Sequence, residues 1–529
     1  MGDPKLGRFD HLVVVMFENR SFDNVLGYLY QPGNVPRGQA FNGVAGSSYS
    51  NPVPPYINDG HTSVSVRSSP GCDSDMSNPN PDPGEEYPHV NTQLFGTADP
   101  ASNEFGRASY LKSEHPGYMK KPWNNPAPGQ RPTMDGFVHD YCSNFVSVNT
   151  EFPLENPLPT FDQYRIIMDC FGPESLPVIN TLAREFAVYD AWFCAVPSQT
   201  FCNRSFFHAS TSSGFLDNEP YPKWLLNSAQ TIFNRLADAG VSWKVYYDAR
   251  QAIPLTALIH APMLKKYWKT HFATMERFYA DVAAGQLPAY AFVEPRMLWA
   301  HNDYHPPAPL FEGTSIGATS DVRAGELLLH EIYSAVRAGA SKTGSNALNT
   351  LLLVVFDEHG GTYDHVAPPP AVAPHPPPPI REYDFAFDRL GVRIPAIAIS
   401  AYTQQNTVIN RKVHHGTVIR SLCEKYDLDA LNERDRNAPD LTDALNLENP
   451  RLPEAWPQTM PLPVPAGALY TDPFSPEIAE RPLNALERDI VGLAMTVIDG
   501  DPPNPADIPT KLGAAFDLMC RLASDAFGG

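Results

Sequence analysis

Two apolar runs in this chain stop abruptly at carboxylates. Leu12-Val-Val-Val-Met-Phe17 passes into Glu18-Asn19-Arg20-Ser21-Phe22-Asp23, and Leu351-Leu-Leu-Val-Val-Phe356 passes into Asp357-Glu358-His359-Gly360-Gly361-Thr362-Tyr363-Asp364-His365. Brought to one place, Glu18, Asn19, Asp357 and Glu358 form an oxygen-rich set that a divalent cation would hold together, because the ion neutralises their mutual repulsion. Carboxylates with an amide favour a hard ion, calcium, magnesium or manganese, over a thiolate zinc site, and zinc bound by carboxylates stays open. Taken singly, each cluster also reads as a solvated acidic loop after a strand.

Elements that would position these residues follow from the same runs. Six consecutive apolar residues rich in valine predict a strand buried on both faces, as in a parallel sheet, and ligands of such sheets gather beyond the carboxyl ends of the strands. Helical spacing at Leu176, Ile179, Leu182 and Phe186 is followed by the strand-like Ala187–Phe193, then by the polar turn Ser198–Arg204 and another helix. Thr231–Gly240 reads as a helix stopped by glycine, Val241–Tyr247 and Tyr290–Val293 as strands, and Val322–Ala338 as an amphipathic helix. Ile394–Ser400 gives a late strand and Lys412–Tyr426 a helix. This alternation predicts an α/β fold, a three-layer α/β/α sandwich with a mostly parallel central sheet. Residues 1–430 are expected to form the catalytic domain, with a loop-rich insertion over about 33–132 that shapes or covers the site. Residues 431–529 are expected to form a C-terminal appendage with a terminal helix near Lys511–Ala526.

Composition narrows the partners. A net charge of −20 and the lack of a basic tract exclude nucleic acid as the main partner, and the same charge disfavours an anionic membrane while leaving a zwitterionic lipid open. Apolar stretches near Val13, Leu352 and Ile397 fall far short of the ~20 residues a membrane-spanning helix needs, so membrane contact is expected at most as a transient surface event. The N-terminus carries no apolar signal region, so the chain is expected to be cytosolic, delivered without a leader, or trimmed of one. Seven cysteines, Cys72 among them, are scattered without metal-type spacing and are odd in number, which fits a reducing compartment better than an oxidising one. Fifty-five prolines are roughly twice the usual ~5%, implying long extended surface loops, with Ala367–Ile380 as a wall or lid.

Four motifs carry a family resemblance over roughly the first 430 positions: Glu18-Asn-Arg-Ser-Phe-Asp23, Thr200-Phe-Cys-Asn203-Arg204, Asn302-Asp303-Tyr304-His305-Pro306-Pro307, and Asp357–His365. The chain resembles the phosphoesterase family of non-specific phospholipases C and related acid phosphatases, in the alkaline-phosphatase-like superfamily. That resemblance implies that Thr200 is the nucleophile and that Glu18, Asn19, Thr200, Asp357 and Glu358 surround the metal. The chemistry agrees, since a threonine hydroxyl is a poor nucleophile at neutral pH unless a metal or a base activates it. Thr200 also reads as the cap of the helix it precedes. Asn203 and Arg204 would aim donors at phosphate oxygens, and Asp303 and Tyr304 would meet the substrate. The family usually places proline before the asparagine where this chain has Cys202, which puts the rigidity of the turn in question. The family's histidines match His305, His365 and, in Glu85–Gln93, His89; they would stabilise charge or protonate a departing alkoxide. Tyr110, Trp123, Trp192 and Tyr304 are candidates to cage a choline ammonium.

Other signals dissolve on inspection. Gly339–Gly344 lacks the lysine of a phosphate loop, His330-Glu331 lacks the second histidine of a zinc-protease helix, and Asp499–Asp501 lacks the closing acid of a calcium hand. His414-His415 reads as a surface pair, and His359 as pointing away from its ligand neighbours. The expected activity is a metal-dependent phospholipase C that cleaves phosphatidylcholine-like lipids to diacylglycerol and a phosphorylated head group through a phosphothreonine. An acid phosphatase working on monoesters with the same site, and a lipid-binding module with a dead site, are the competing readings.

Overall fold

The computed structural model describes residues 3–69, 76–96, 123–151, 158–297, 300–306, 320–466, 472–483, 485–500 and 503–528. Cys72, Tyr110 and Pro307, all invoked above, lie outside them.

The apolar runs form strands. β1 (His11–Phe17), β2 (Ala187–Tyr189), β3 (Trp243–Tyr247), β4 (Phe272–Thr274), β5 (Tyr290–Glu294), β6 (Thr350–Phe356), β7 (Ala396–Ile399) and β8 (Thr407–Ile409) make one sheet in the order β8-β2-β7-β6-β1-β5-β3-β4. All neighbours pair in parallel except β7, which runs antiparallel to both β6 and β2. Leu12 to Phe17 and the whole of β6 are buried, as the continuous hydrophobic runs require of strands covered on both faces.

Helices supply those covers. α1 (Tyr87–Phe95), α2 (Phe137–Glu151), α3 (Pro177–Glu185), α4 (Thr200–Ala209), α5 (Val322–Ala338), α6 (Gly416–Lys425), α7 (Ala485–Asp499) and α8 (Leu512–Ala523) are the main ones. α3 and α5 pack on each other as one layer, while α4 packs with α6 as another. Glu326 of α5 ties its layer together. Its carboxylate accepts the Val178 and Ile179 N–H groups at the start of α3 (2.6 and 2.9 Å) and the Tyr304 hydroxyl (2.8 Å). Beyond residue 430 the chain packs on the same core as the sheet, through Leu441, Leu445, Ile490, Leu493 and Met519. Among the described residues no helix is long and apolar enough to cross a membrane, and Cys142, Cys170, Cys194, Cys202, Cys423 and Cys520 are all free.

Three sequence expectations need correction. The stretch from 33 to 132 is not simply loop: it holds α1 and a short antiparallel hairpin (Ser50–Pro52 with Ser63–Ser65), and a second core of Val44, Val90, Leu94, Phe137 and Tyr141 seats it. Ala187–Phe193 is not one strand, because after β2 the chain turns and Trp192–Phe193 pairs separately with Val413–His414. That pairing also delays the helix expected from Lys412, so that α6 starts at Gly416.

Candidate active site

Register builds the centre of the site. β1 and β6 pair from His11↔Thr350 to Phe17↔Phe356, so they end level and release Glu18 and Asp357 side by side. The two following turns then interlock. Asn19 takes a left-handed φ of 54°, which asparagine tolerates better than most residues, and Gly360 packs directly on it. A Cβ at Gly360, itself at φ 60°, would fall 2.1 Å from the Asn19 carbonyl oxygen, so only glycine fits.

Asn19 links the parts. Its Nδ2 donates to Glu85 Oε1 (2.7 Å), its N–H reaches Asp357 Oδ1 (3.4 Å), and its Oδ1 accepts the Thr200 hydroxyl (3.5 Å). Thr200 is the first residue of α4, one place after the N-cap Gln199, so its hydroxyl is spent on Asn19 and not on capping the helix. The Phe201 N–H donates to Asn218 Oδ1 (3.0 Å), and the Asn218 N–H to Gln199 Oε1 (2.9 Å), which fixes the turn from outside. From inside it is fixed by Asn203, whose Nδ2 donates to the carbonyls of Val196, Ser198 and Gln199 and whose Oδ1 accepts the Val196 N–H. This bracing supplies the rigidity that Cys202 would have cost.

The electrostatics are those of crowded, dehydrated acids. Glu18, Glu85, Asp357 and Glu358 are all buried, and all are pushed above the usual carboxylate range. Burial is the largest cause for each; the Asp357 charge adds to it at Glu18 and Glu358, and the Glu358 charge at Glu85. Arg204 opposes this. Its Nη2 and Nε lie 2.7 and 2.9 Å from Glu18 Oε1, and its Nε lies 3.2 Å from Asp357 Oδ2. Glu18 Oε2 and Glu358 Oε1 remain buried and accept no hydrogen bond among the described residues. One arginine against this many acids, with two oxygens left unpaired, suits a hard divalent cation, and Glu18, Asn19, Asp357, Glu358 and the Thr200 hydroxyl are the residues that would hold it. A neighbouring triad of Asp82, Glu85 and His305, with ligand atoms within 4.8 Å of one another, has the donor types for a second ion.

Several expected roles are corrected by these contacts. Asn203 does not aim at phosphate, because its amide is consumed by the turn. Arg204 is engaged by Glu18 and Asp357 through Nη2 and Nε, while its Nη1 is buried with no hydrogen-bond partner among the described residues. Asp303 is an orienting group: its carboxylate accepts the His305 N–H (2.9 Å) and faces His301 Nδ1 (3.1 Å), while its carbonyl accepts the Glu18 N–H (2.8 Å). Tyr304 donates its hydroxyl to Glu326 and packs its ring edge-on against Phe17, so neither end meets a substrate. His365 sits in a separate network, with Nδ1 on Asp23 (2.6 Å) and Nε2 on Asn42 (2.8 Å), next to the pair that Arg393 makes with Asp23 and Asp364. His89 bonds Asp140 through Nδ1 (2.8 Å) and turns Nε2 toward Glu86 (3.7 Å). His305 does approach the centre, with Nε2 3.8 Å from Glu85 Oε1. Of the cage candidates, Trp192 and Tyr304 are core residues and Trp123 packs on Tyr383.

Residues that sequence reasoning passed over complete the shell. His415 is not a surface residue but lies buried beneath Asp357; its Nε2 lies 2.6 Å from the Asp357 carbonyl, and burial lowers the pKa of its imidazole to about 4. His359 turns Nε2 to Gln93 (2.7 Å) and Nδ1 toward Glu358 (3.2 Å). Glu85 was visible as an acid in the motif ending at Gln93, but nothing in its spacing tied it to Asn19.

The chain matches a family model described as the phosphoesterase family over residues 9–429. Non-specific phospholipase C3 of Arabidopsis thaliana is 30% identical over 460 residues, covering 83% of this chain and 74% of that one. Phospholipase C B of Mycobacterium tuberculosis strain H37Rv is 25% identical over 374 residues, 61% of this chain and 64% of that one. Among solved structures, a protein in the alkaline phosphatase superfamily from Vibrio parahaemolyticus aligns with 66% of this chain and 81% of its own, at 13% identity and a TM-score of 0.30, too loose a likeness to bear on the reaction.

Proposed function

Since the chain belongs to the phosphoesterase family and is a phosphoric ester hydrolase, we propose that it is a metal-dependent phospholipase C acting on phosphatidylcholine-like lipids. The observation that carries this reading is the Thr200 hydroxyl, held on Asn19 at the start of a helix and beside buried carboxylates with unpaired oxygens. A bound divalent ion would neutralise those acids and lower the proton affinity of the hydroxyl.

Thr200 Oγ1 attacks phosphorus in line, and a P–O bond to threonine forms as the bond to the diacylglycerol oxygen breaks. The threonine proton leaves to water as the P–O bond forms, since the carboxylates that would hold the ion are not free to take it. His305 protonates the departing alkoxide. The N-terminal end of α4 favours the phosphoryl charge, as helix starts do. Water then cleaves the phosphothreonine and frees the phosphorylated head group. Asn203, Arg204 and Asp303 act through position: the first two hold the turn and the acids, and the third holds His301 and His305.

The test is kinetic. Phosphatidylcholine, a chromogenic phosphocholine diester and the matching monoester are compared with and without chelator, for the wild type and for Thr200→Ala. Diester turnover that chelation removes, that divalent ion restores and that Thr200→Ala abolishes is expected. A strong preference for the monoester would replace the phospholipase reading with a phosphatase one, and an active Thr200→Ala would remove the nucleophile.

A further inference from the structure

Leu226 and Ile380 are large apolar side chains left 63% and 49% exposed, and they line one groove of about 600 Å³. Its other walls include the proline-rich run 374–379, which His375 interrupts, Phe215, the residues where α4 ends, Ala209 and Thr211, and the polar Ser213, Gln230 and Asn432. No lysine, arginine, aspartate or glutamate lines it, although the chain carries a net charge of −20. The proline run keeps the groove open, since fixed φ angles prevent it from collapsing onto its apolar neighbours.

The groove is built onto the nucleophile turn. Gly214, at φ +98°, lets the two walls touch: a Cβ there would sit 1.8 Å from the Ile380 carbonyl oxygen. The Glu382 N–H donates to the Gly214 carbonyl (3.1 Å), and the Glu382 carboxylate accepts the Leu216 and Asp217 N–H groups (2.5 and 3.0 Å). The next residue, Asn218, is the one that holds Gln199 and Phe201 on either side of Thr200. The wall that carries Ile380 is thus connected to the residues flanking Thr200 by one short hydrogen-bonded loop.

We propose that this groove and its rim are the surface by which the protein docks on a zwitterionic phospholipid bilayer, with Leu226 and Ile380 entering the acyl region beside the substrate. The inference rests on the phospholipase reading above. Its occupant follows from charge and chemistry. An acidic molecule is repelled by an anionic surface and gains nothing electrostatic from a neutral one, so its contact with phosphatidylcholine must come from apolar insertion, and this patch offers apolar side chains with no carboxylate, lysine or arginine among its lining residues. A prearranged proline wall loses little conformational freedom on docking.

The experiment uses the full-length protein with divalent ion present. Sedimentation with phosphatidylcholine vesicles and hydrolysis of those vesicles are measured for the wild type and for Leu226→Ser/Ile380→Ser, alongside turnover of the soluble chromogenic phosphocholine diester. Partition and vesicle hydrolysis are expected to fall by about tenfold or more, as loss of two inserted side chains requires, with soluble turnover unchanged. A variant that binds and hydrolyses vesicles like an active wild type overturns the proposal. A wild type that turns over the soluble diester but neither binds nor hydrolyses vesicles overturns the phospholipid reading itself, and the docking surface with it. Leu226→Trp gives an independent reading: its emission should shift to the blue on vesicles, and an unshifted emission under conditions where the protein is bound sinks the assignment. A wild-type dimer that the double variant dissociates would assign the groove to a second copy of the chain and overturn it equally.

Discussion

Replacing Arg204 by methionine removes the cation that stands between Glu18 and Asp357 while keeping much of its length. Arg204 is fully buried, 2.7 Å from Glu18 Oε1 and 3.2 Å from Asp357 Oδ2. Breaking a buried pair from one side typically costs about 3–5 kcal/mol, because the surviving charges stay dehydrated and unpaired. At about 2.1 cal/mol/K per residue, a chain of 529 residues unfolds with an entropy of about 1.1 kcal/mol/K, so Tm should fall by about 3–5 °C if unfolding is cooperative. That deficit should depend on metal. In chelator the acids have no other counter-charge, whereas an ion bound at 100 times its Kd contributes about 2.7 kcal/mol to the folded state and neutralises the same oxygens. Calorimetric scans of wild type and Arg204→Met, in chelator and in excess divalent ion, separate the cases. A deficit of equal size in both conditions, with a wild-type Tm that itself rises with ion, would show that Arg204 and the ion do not share one set of acids. No deficit in chelator would show that the acids hold protons and need no cation.

Asn203→Asp keeps the shape but sets a carboxylate oxygen against the carbonyls of Val196, Ser198 and Gln199; stability should fall by about 1–3 kcal/mol and activity with it, and lost activity at an unchanged Tm would mean that Asn203 touches phosphate after all. His305→Ala should lower kcat by roughly 10²–10⁴ as a lost general acid does, whereas His365→Ala should lower Tm more than kcat, since its ring serves Asp23 and Asn42; comparing kcat and Tm for the two variants checks the assignment. Glu326 is raised from 4.5 to about 7, chiefly by burial. A raised carboxyl contributes fully to stability below its unfolded pKa and loses that contribution as pH climbs through the folded value, so wild type should lose roughly 3 kcal/mol relative to Glu326→Gln between pH 4.5 and 8. Parallel Tm profiles of the two proteins would refute the raised carboxyl.

What the sequence made legible was whatever depends on local pattern. The runs before Glu18 and Asp357 read as doubly covered strands because six successive apolar residues have no polar face to show, and β1 and β6 are those strands. Direction was not legible: Ile394–Ser400 has the same apolar character as its neighbours, and nothing in it says that β7 runs against them. Roles that depend on a partner were misjudged in one consistent way. Asn203 lies a turn after a hydroxyl, which suits phosphate contact, but its partners at Val196, Ser198 and Gln199 are fixed by turn geometry that spacing does not encode; nor does spacing encode the tertiary contacts of Arg204 with Glu18 and Asp357. His415 follows another histidine at a helix start and looks solvated, yet the sheet edge closes over it. Helix α1 has no sequence signature, because proline and glycine surround it and every one of its residues is buried, which leaves no amphipathic stripe.

The lock between Asn19 and Gly360 has a consequence for how activity arises. The two residues are separated by most of the chain, and β1, which carries the first, lies in the sheet between β5 and β6, formed from segments nearly three hundred residues and more downstream. During synthesis the amino-terminal half of the site is therefore finished long before its counterpart exists, and its acids have neither Arg204 nor Asp357 as neighbours. Closing so long a loop is among the slowest contacts a chain of this topology makes. Helical signal should thus return well ahead of ester hydrolysis on refolding, and a chain cut anywhere between the two turns regains its chemistry only if its pieces rebuild the centre of the sheet together.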